Sequence, residues 1–155
     1  MNLFEVIPME NILVWVHKEL YCNEDVKPTI YDGDNPESLS NYIIALQELI
    51  NYLKCSIHTL LITLIYAQRL AKSGLKIGDQ NVKRVLLACF CIAMKYHDDG
   101  SVTNKSLSHL TGMKNKDMSA LEIATLIRLD YMVHVTIEEW LENLNELIYE
   151  SRIEN

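Results

Sequence analysis

No proline occurs in residues 37–155; the three in the chain are Pro8, Pro28 and Pro36. Proline inside a helix costs ~3 kcal/mol, because it removes a backbone donor and clashes with the preceding turn. So long a stretch without one is open to uninterrupted helices. Glycine is scarce as well: five Gly and three Pro in 155 residues are few against average usage of about 12% for the two together. A turn-rich sandwich or barrel is disfavoured, and an all-α bundle is expected. Hydrophobic residues at 49% and charged residues at 23% suit a packed globular chain rather than a disordered one. The length suits one domain.

Apolar spacing and end signals mark the helices. The first is expected from about Pro8 to Leu20, with Met9, Ile12, Leu13, Val16 and Leu20 on one face. Residues 21–38 contain Pro28, Pro36 and Gly33 and read as an irregular connection, unusually long for a compact domain. Leu39, Tyr42, Ile43, Leu46, Leu49, Ile50 and Leu53 then repeat at helical spacing. A further helix is expected after Ser56 as cap, ending at Ser73-Gly74, and Asp79 is the expected cap of the next. That next helix is apolar all round from Val85 to Met94, as a helix surrounded by others would be. A short helix is expected from Thr103 to Leu110, closed by Gly112, and another over residues 117–131 with Met118, Leu121, Thr125 and Leu129 in line. Thr136-Ile-Glu-Glu139 has the capping-box pattern, with Ile137, Trp140, Leu141, Leu144 and Ile148 expected on the buried face of the last helix.

The net charge of -7 is unevenly spread: residues 1–40 carry -6, residues 41–135 carry +4 and residues 136–155 carry -5. Phosphate binding requires a basic surface, so direct nucleic-acid binding and attachment to anionic membranes are disfavoured. The N-terminal stretch has Glu5 and Glu10 where a secretory signal needs positive charge. Its longest apolar run, Val85 to Met94, is half what a membrane span requires. Cys22, Cys55, Cys89 and Cys91 form no CxxC and read as reduced thiols. The histidines His17, His58, His97, His109 and His134 include no HxxxH or HExxH pair, so no metal and no cofactor are expected. With no phosphate loop and no nucleophile elbow, catalysis has no support in the sequence.

Two charges stand where the pattern asks for apolar residues. Lys95 follows ten apolar residues, and Glu122 sits next to Leu121, close to the apolar line of its segment. A buried unpaired charge costs several kcal/mol, and a Lys95–Glu122 pair answers both puzzles; spacing alone leans toward two unrelated snorkelling side chains. Asp98 and Asp99 place two carboxylates at a helix C-terminus, each unfavourable there by about 0.3–1 kcal/mol. They suit either a solvated corner or an acidic contact for a partner's arginine.

LLACFCIAMKYHDD, followed by SALEIATLIRLDYMVHV, resembles a cyclin box, and IHTLLITLIYAQRLAKSG before it resembles the PHO-type (P/U-type) cyclins of fungi and protists. The resemblance covers about residues 39–135. It implies a single cyclin-box five-helix bundle with additional helices in residues 1–38 and 136–155, and, with twenty residues after Val135, no second box. It further implies a non-catalytic regulatory subunit, intracellular in a eukaryote (cytoplasmic and/or nuclear), that binds and activates a cyclin-dependent kinase by docking on its αC helix. Lys95 and Glu122 match the box lysine and glutamate that engage that helix; Ile92, Tyr96 and Leu126 match apolar positions around them, and Asp98 or Asp99 would hold a kinase arginine. The chain departs from the family where LSHLTGM replaces a glycine-rich stretch, keeping Gly112, and where residues 39–53 lack the M-R-A-I-L patch that recruits substrates to many cyclins. The alternative is a cyclin-fold adaptor for transcription or regulatory proteins, in the manner of the transcription factor IIB and retinoblastoma relatives of the fold, since fold does not fix function.

Overall fold

The computed structural model describes residues 7–22, 29–32, 38–55, 57–97 and 104–153. Among these lie seven helices and no strand: α1 (Met9–Glu19), α2 (Leu39–Tyr52), α3 (Ile57–Lys72), α4 (Val82–His97), α5 (Asn104–Thr111), α6 (Asn115–Arg128) and α7 (Ile137–Ile153). The expected all-α fold is present. The Ser56 cap and Asp98-Asp99 lie outside the described residues.

Helix α4 is the axis, as its all-round apolar sequence requires: Val82 and every residue from Val85 to Met94 are buried. It packs against α3, α6 and α2, and α5 packs against α6. α1 and α7 pair with each other and both lie on α3. The α1–α7 seam is fixed by Asn11, whose side-chain nitrogen donates to the carbonyls of Leu147 (2.7 Å) and Ile148 (3.1 Å). Trp15 Nε1 donates to Glu146 at 3.2 Å across the same seam.

Three helices end in the same hydrogen-bond motif, in which the first residue past the cap turns left-handed. After α3 it is Gly74 (φ 107), with Leu75 N donating to Leu70 O at 3.1 Å. After α2 and α6 the position is held by Lys54 (φ 54) and Asp130 (φ 53), where an L side chain is strained.

Several local expectations are corrected. Asp79 does not cap α4; its carboxylate accepts from the Tyr21 hydroxyl at 2.7 Å, while Asn81 folds the turn by accepting from Gly78 N at 3.1 Å. The capping box of α7 is half formed: Thr136 Oγ1 accepts from Glu139 N at 3.1 Å, but the Glu139 carboxylate is drawn to Arg69 instead. α6 ends at Arg128, because Asp130 and Tyr131 are both left-handed. On α7, among the residues whose burial is described, Asn143 and Leu147 are buried and the expected Trp140, Leu144 and Ile148 are half-buried against the core, whereas Ile137 and Leu141 are exposed. The helix is rolled toward α1, and one edge of its apolar arc faces out.

Candidate functional site

The site grows from the C-terminal end of α4. Its residues are buried up to Met94 and exposed from Lys95 onward, so the lysine leaves the core at the last turn. A cation there also complements the helix dipole. α6 lies alongside, seated by Met118, Leu121 and Thr125, and this seating turns Glu122 toward α4. The Lys95 ammonium donates to both carboxylate oxygens of Glu122, at 2.7 and 2.9 Å. The two residues that stood out in the sequence are therefore one ion pair, with side chains 30% and 14% exposed. Burial pushes the thiol of Cys91 up to about 12; the Glu122 charge adds to this and the Lys95 charge opposes it, so both charges lie close above the core.

Apolar side chains extend outward from the pair. Leu126, one turn after Glu122, is half-buried, while Ile123 and Ile127 on the outer side of α6 are 57% and 59% exposed. Tyr96, next to Lys95, and Tyr131 and Met132, just beyond α6, are also exposed. Ile92 is 0% exposed. Expected around the partner contact, its side chain lies inside the all-round burial of α4. Asp98 and Asp99 lie outside the described residues.

Residues 129–136 form a strap fastened to the bundle from below. Arg69 donates to the carbonyls of Met132 (2.8 Å) and His134 (2.9 Å) and pairs with Glu139 at 2.7 Å. The Tyr66 hydroxyl donates to Val133 O at 2.6 Å. His97 Nε2 lies 2.8 Å from the same carbonyl and 2.6 Å from the phenol oxygen. Burial holds Tyr66 above the ordinary tyrosine range, opposed by the Arg69 charge, which keeps the phenol a neutral donor. The strap thereby fixes the backbone from which Tyr131 and Met132 project.

The sequence singled out Lys95, Glu122, Tyr96 and Leu126, which the structure places near one another, but not the exposed Ile123, Ile127, Tyr131 and Met132 or the fastening Arg69 and Tyr66. Ile123 and Ile127 had a readable signal: they stand one turn apart, off the buried line through Leu121 and Thr125. No sequence signal marks the strap, whose bonds end on backbone carbonyls. Elsewhere, Tyr42, Leu46 and Leu49 of α2 and Leu86 and Leu87 of α4 line a groove in which the Lys83 ammonium lies 5.7 Å from the Tyr42 ring centroid. Among the described residues no group of three or more His, Cys, Asp or Glu side chains is arranged to hold a metal ion, and no helix is long and apolar enough to cross a membrane.

The family model described as Cyclin matches residues 17–133. Similar proteins include Cyclin-U1-1 of Arabidopsis thaliana, 32% identical over 93 residues covering 59% of this chain and 44% of the relative. Cyclin-P3-1 of Oryza sativa subsp. japonica is 28% identical over 136 residues, covering 82% of this chain and 57% of the relative. Cyclin-U4-3 of Arabidopsis thaliana is 27% identical over 115 residues, 72% of this chain and 51% of the relative. The chain spans about half the length of these curated relatives, which are plant proteins of the P and U types rather than fungal or protist ones.

Proposed function

The chain belongs to the cyclin family, and from that premise we propose that it is the regulatory subunit of a cyclin-dependent kinase, docking on the kinase αC helix through the surface around Lys95 and Glu122. The observation that carries the reading is the ion pair itself: a lysine and a glutamate 27 residues apart, joined by two hydrogen bonds and bordered by exposed apolar side chains. A rigid apolar surface with a fixed charge pair at its edge suits an amphipathic helix, whose apolar face meets Ile123, Leu126 and Ile127 and whose polar edge meets the pair. Tyr96, Tyr131 and Met132 widen the apolar area.

The mechanism is a shift of population in the kinase. Phosphoryl transfer needs the αC glutamate aligned with the nucleotide-binding lysine. A surface that binds only the aligned position of αC stabilises it by the difference in affinity for the two positions. To move a kinase from 1% to 99% aligned, that difference must reach about 5.5 kcal/mol. A set of buried aromatic and aliphatic anchors is of the right order. This chain's part is rigidity, supplied by the ion pair above the core and by the strap. Asp98 or Asp99, which follow α4 in the sequence, is proposed to hold a kinase arginine.

The test is affinity capture from extracts of the source cells, followed by a kinase assay with and without the chain. Capture of a cyclin-dependent kinase whose activity rises on adding the chain supports the proposal. Capture that survives Lys95→Ala with Glu122→Ala removes the interface, and capture without activation favours the adaptor.

A further inference from the structure

The connection between α1 and α2 carries a side chain that its turn-rich sequence does not lead one to expect in the core. At its start, Cys22 N donates to Ile77 O at 3.1 Å and the Tyr21 hydroxyl to Asp79 at 2.7 Å, fastening it to the turn before α4. At its end Ser38 accepts from Asn41 N and caps α2. Between these anchors, Asp32 N donates to Thr29 O at 3.1 Å and Tyr31 N to the Thr29 hydroxyl at 3.2 Å, closing a short turn. The turn sends Tyr31 inward: the residue is 0% exposed, and its hydroxyl lies 2.8 Å from that of Thr125, also 0% exposed. Thr125 is three residues beyond Glu122 on the buried face of α6.

Helix α6 is thinly anchored for an element that carries a site. Only Met118, Leu121 and Thr125 within it are buried, and one of these three is polar. A tyrosine buries about 150–250 Å², and this buried one meets α6 through the Thr125 hydroxyl, beside the packing of the helix on α4 and α5. The bond to Tyr31 also gives the Thr125 hydroxyl a partner, without which a buried polar group is costly.

We infer that Tyr31 is a positioning residue for the partner face: seated behind α6, it fixes the depth and register of the helix that presents Glu122 to Lys95 and carries Ile123, Leu126 and Ile127 outward. The turn over residues 29–32 is then a brace. The inference rests on the kinase reading for its consequence, but its physical content is observable on the chain alone.

The experiment records the Lys95 side-chain ammonium by ¹⁵N NMR, since an ammonium held by two hydrogen bonds exchanges its protons slowly enough to be seen. Tyr31→Leu is compared with Tyr31→Phe and with Leu147→Ala, a core truncation on α7, all well below their melting temperatures. The expected result is loss of the Lys95 signal in Tyr31→Leu, a shifted but visible signal in Tyr31→Phe, and a wild-type signal in Leu147→Ala even where that variant is the less stable. Affinity for the captured kinase is expected to fall tenfold or more in Tyr31→Leu and to stay within about threefold in Tyr31→Phe, a loss of tenfold corresponding to about 1.4 kcal/mol. A wild-type Lys95 signal in Tyr31→Leu overturns the inference, as does an equal loss in Leu147→Ala. Should Tyr31→Leu not fold, an unshifted signal in Tyr31→Phe overturns it. A lost signal in Tyr31→Leu, in a chain whose wild type captures no kinase, leaves the brace standing and removes the kinase reading.

Discussion

Replacing Arg69 with methionine keeps the aliphatic stem and removes the charge that fastens the strap. Three hydrogen-bonded contacts go, to the carbonyls of Met132 and His134 at 2.8 and 2.9 Å and the Glu139 carboxylate at 2.7 Å, besides the guanidinium 5.8 Å from the Tyr66 ring centroid. The Arg69 and Glu139 side chains are 23% and 32% exposed, so water replaces part of what is lost. Each contact is then worth about 0.5–1 kcal/mol, and the sum is about 2 kcal/mol. For a chain of this size that lowers Tm by about 4–8 °C. The effect should also be local. Asp130 and Tyr131 hold left-handed φ values of 53° and 56°, a strain of about 1 kcal/mol or more each that the strap's bonds keep in place. Hydrogen exchange at the Met132 and Val133 amides, bonded to Leu129 O and Tyr131 O, should quicken about thirtyfold, the equivalent of 2 kcal/mol of local opening. Amides of α4 between Ala88 and Met94 should quicken by no more than the global loss of stability. A Tm within 1 °C of wild type, or strap amides that exchange no faster than in wild type, refutes the reasoning.

Lys54→Gly relieves the left-handed φ of 54° after α2 and is expected to raise stability by about 0.5–1 kcal/mol in urea unfolding; a destabilised variant contradicts the motif. Leu147→Ala, at 0% exposure, should cost about 2–5 kcal/mol, while Ile137→Ser, 74% exposed, should stay within about 0.5 kcal/mol; equal losses would restore the apolar face expected from the sequence. Cys89 and Cys91 are raised mainly by burial, Cys91 to about 12. The folded state therefore holds protons that the unfolded state releases near pH 9, and stability is full below that pH and falls above it by about 1.4 kcal/mol per pH unit for each group. Cys89→Ala with Cys91→Ala should flatten this alkaline loss in chemical unfolding between pH 9 and 11, and an unchanged slope counts against their burial as free thiols.

The helices were legible where one physical demand dominates. α4 announced itself because a helix enclosed on all sides has no polar face to write, and the line Met118, Leu121, Thr125, Leu129 is buried along its length. α7 was misread for the opposite reason. Its apolar residues span a wide arc, and periodicity does not say which edge of the arc its neighbours cover. Here the bonds from Asn11 and Trp15 to the far side draw Leu147 inward and leave Ile137 and Leu141 out. The Lys95–Glu122 pair was visible as two local anomalies, but spacing left their pairing open, because the packing of α6 on α4 decides it. Ile92 shows the converse limit: a position in a family pattern near a contact is, in this chain, beneath the surface. Tyr31 was hidden in a stretch whose prolines, glycine and acids read as an irregular connection. The strap was hidden altogether, since its fastenings join side chains to backbone carbonyls more than sixty residues away.

Exchanging the charges of the pair, Lys95→Glu with Glu122→Lys, tests the proposed interface most directly. The swap preserves an ion pair within the chain while reversing both charges that face a partner. The swapped chain is expected to melt within about 2–4 °C of wild type, equivalent to about 1 kcal/mol, and to bind the kinase at least tenfold more weakly in capture. Retained binding in the swapped, folded chain would contradict the claim that this face docks on the kinase.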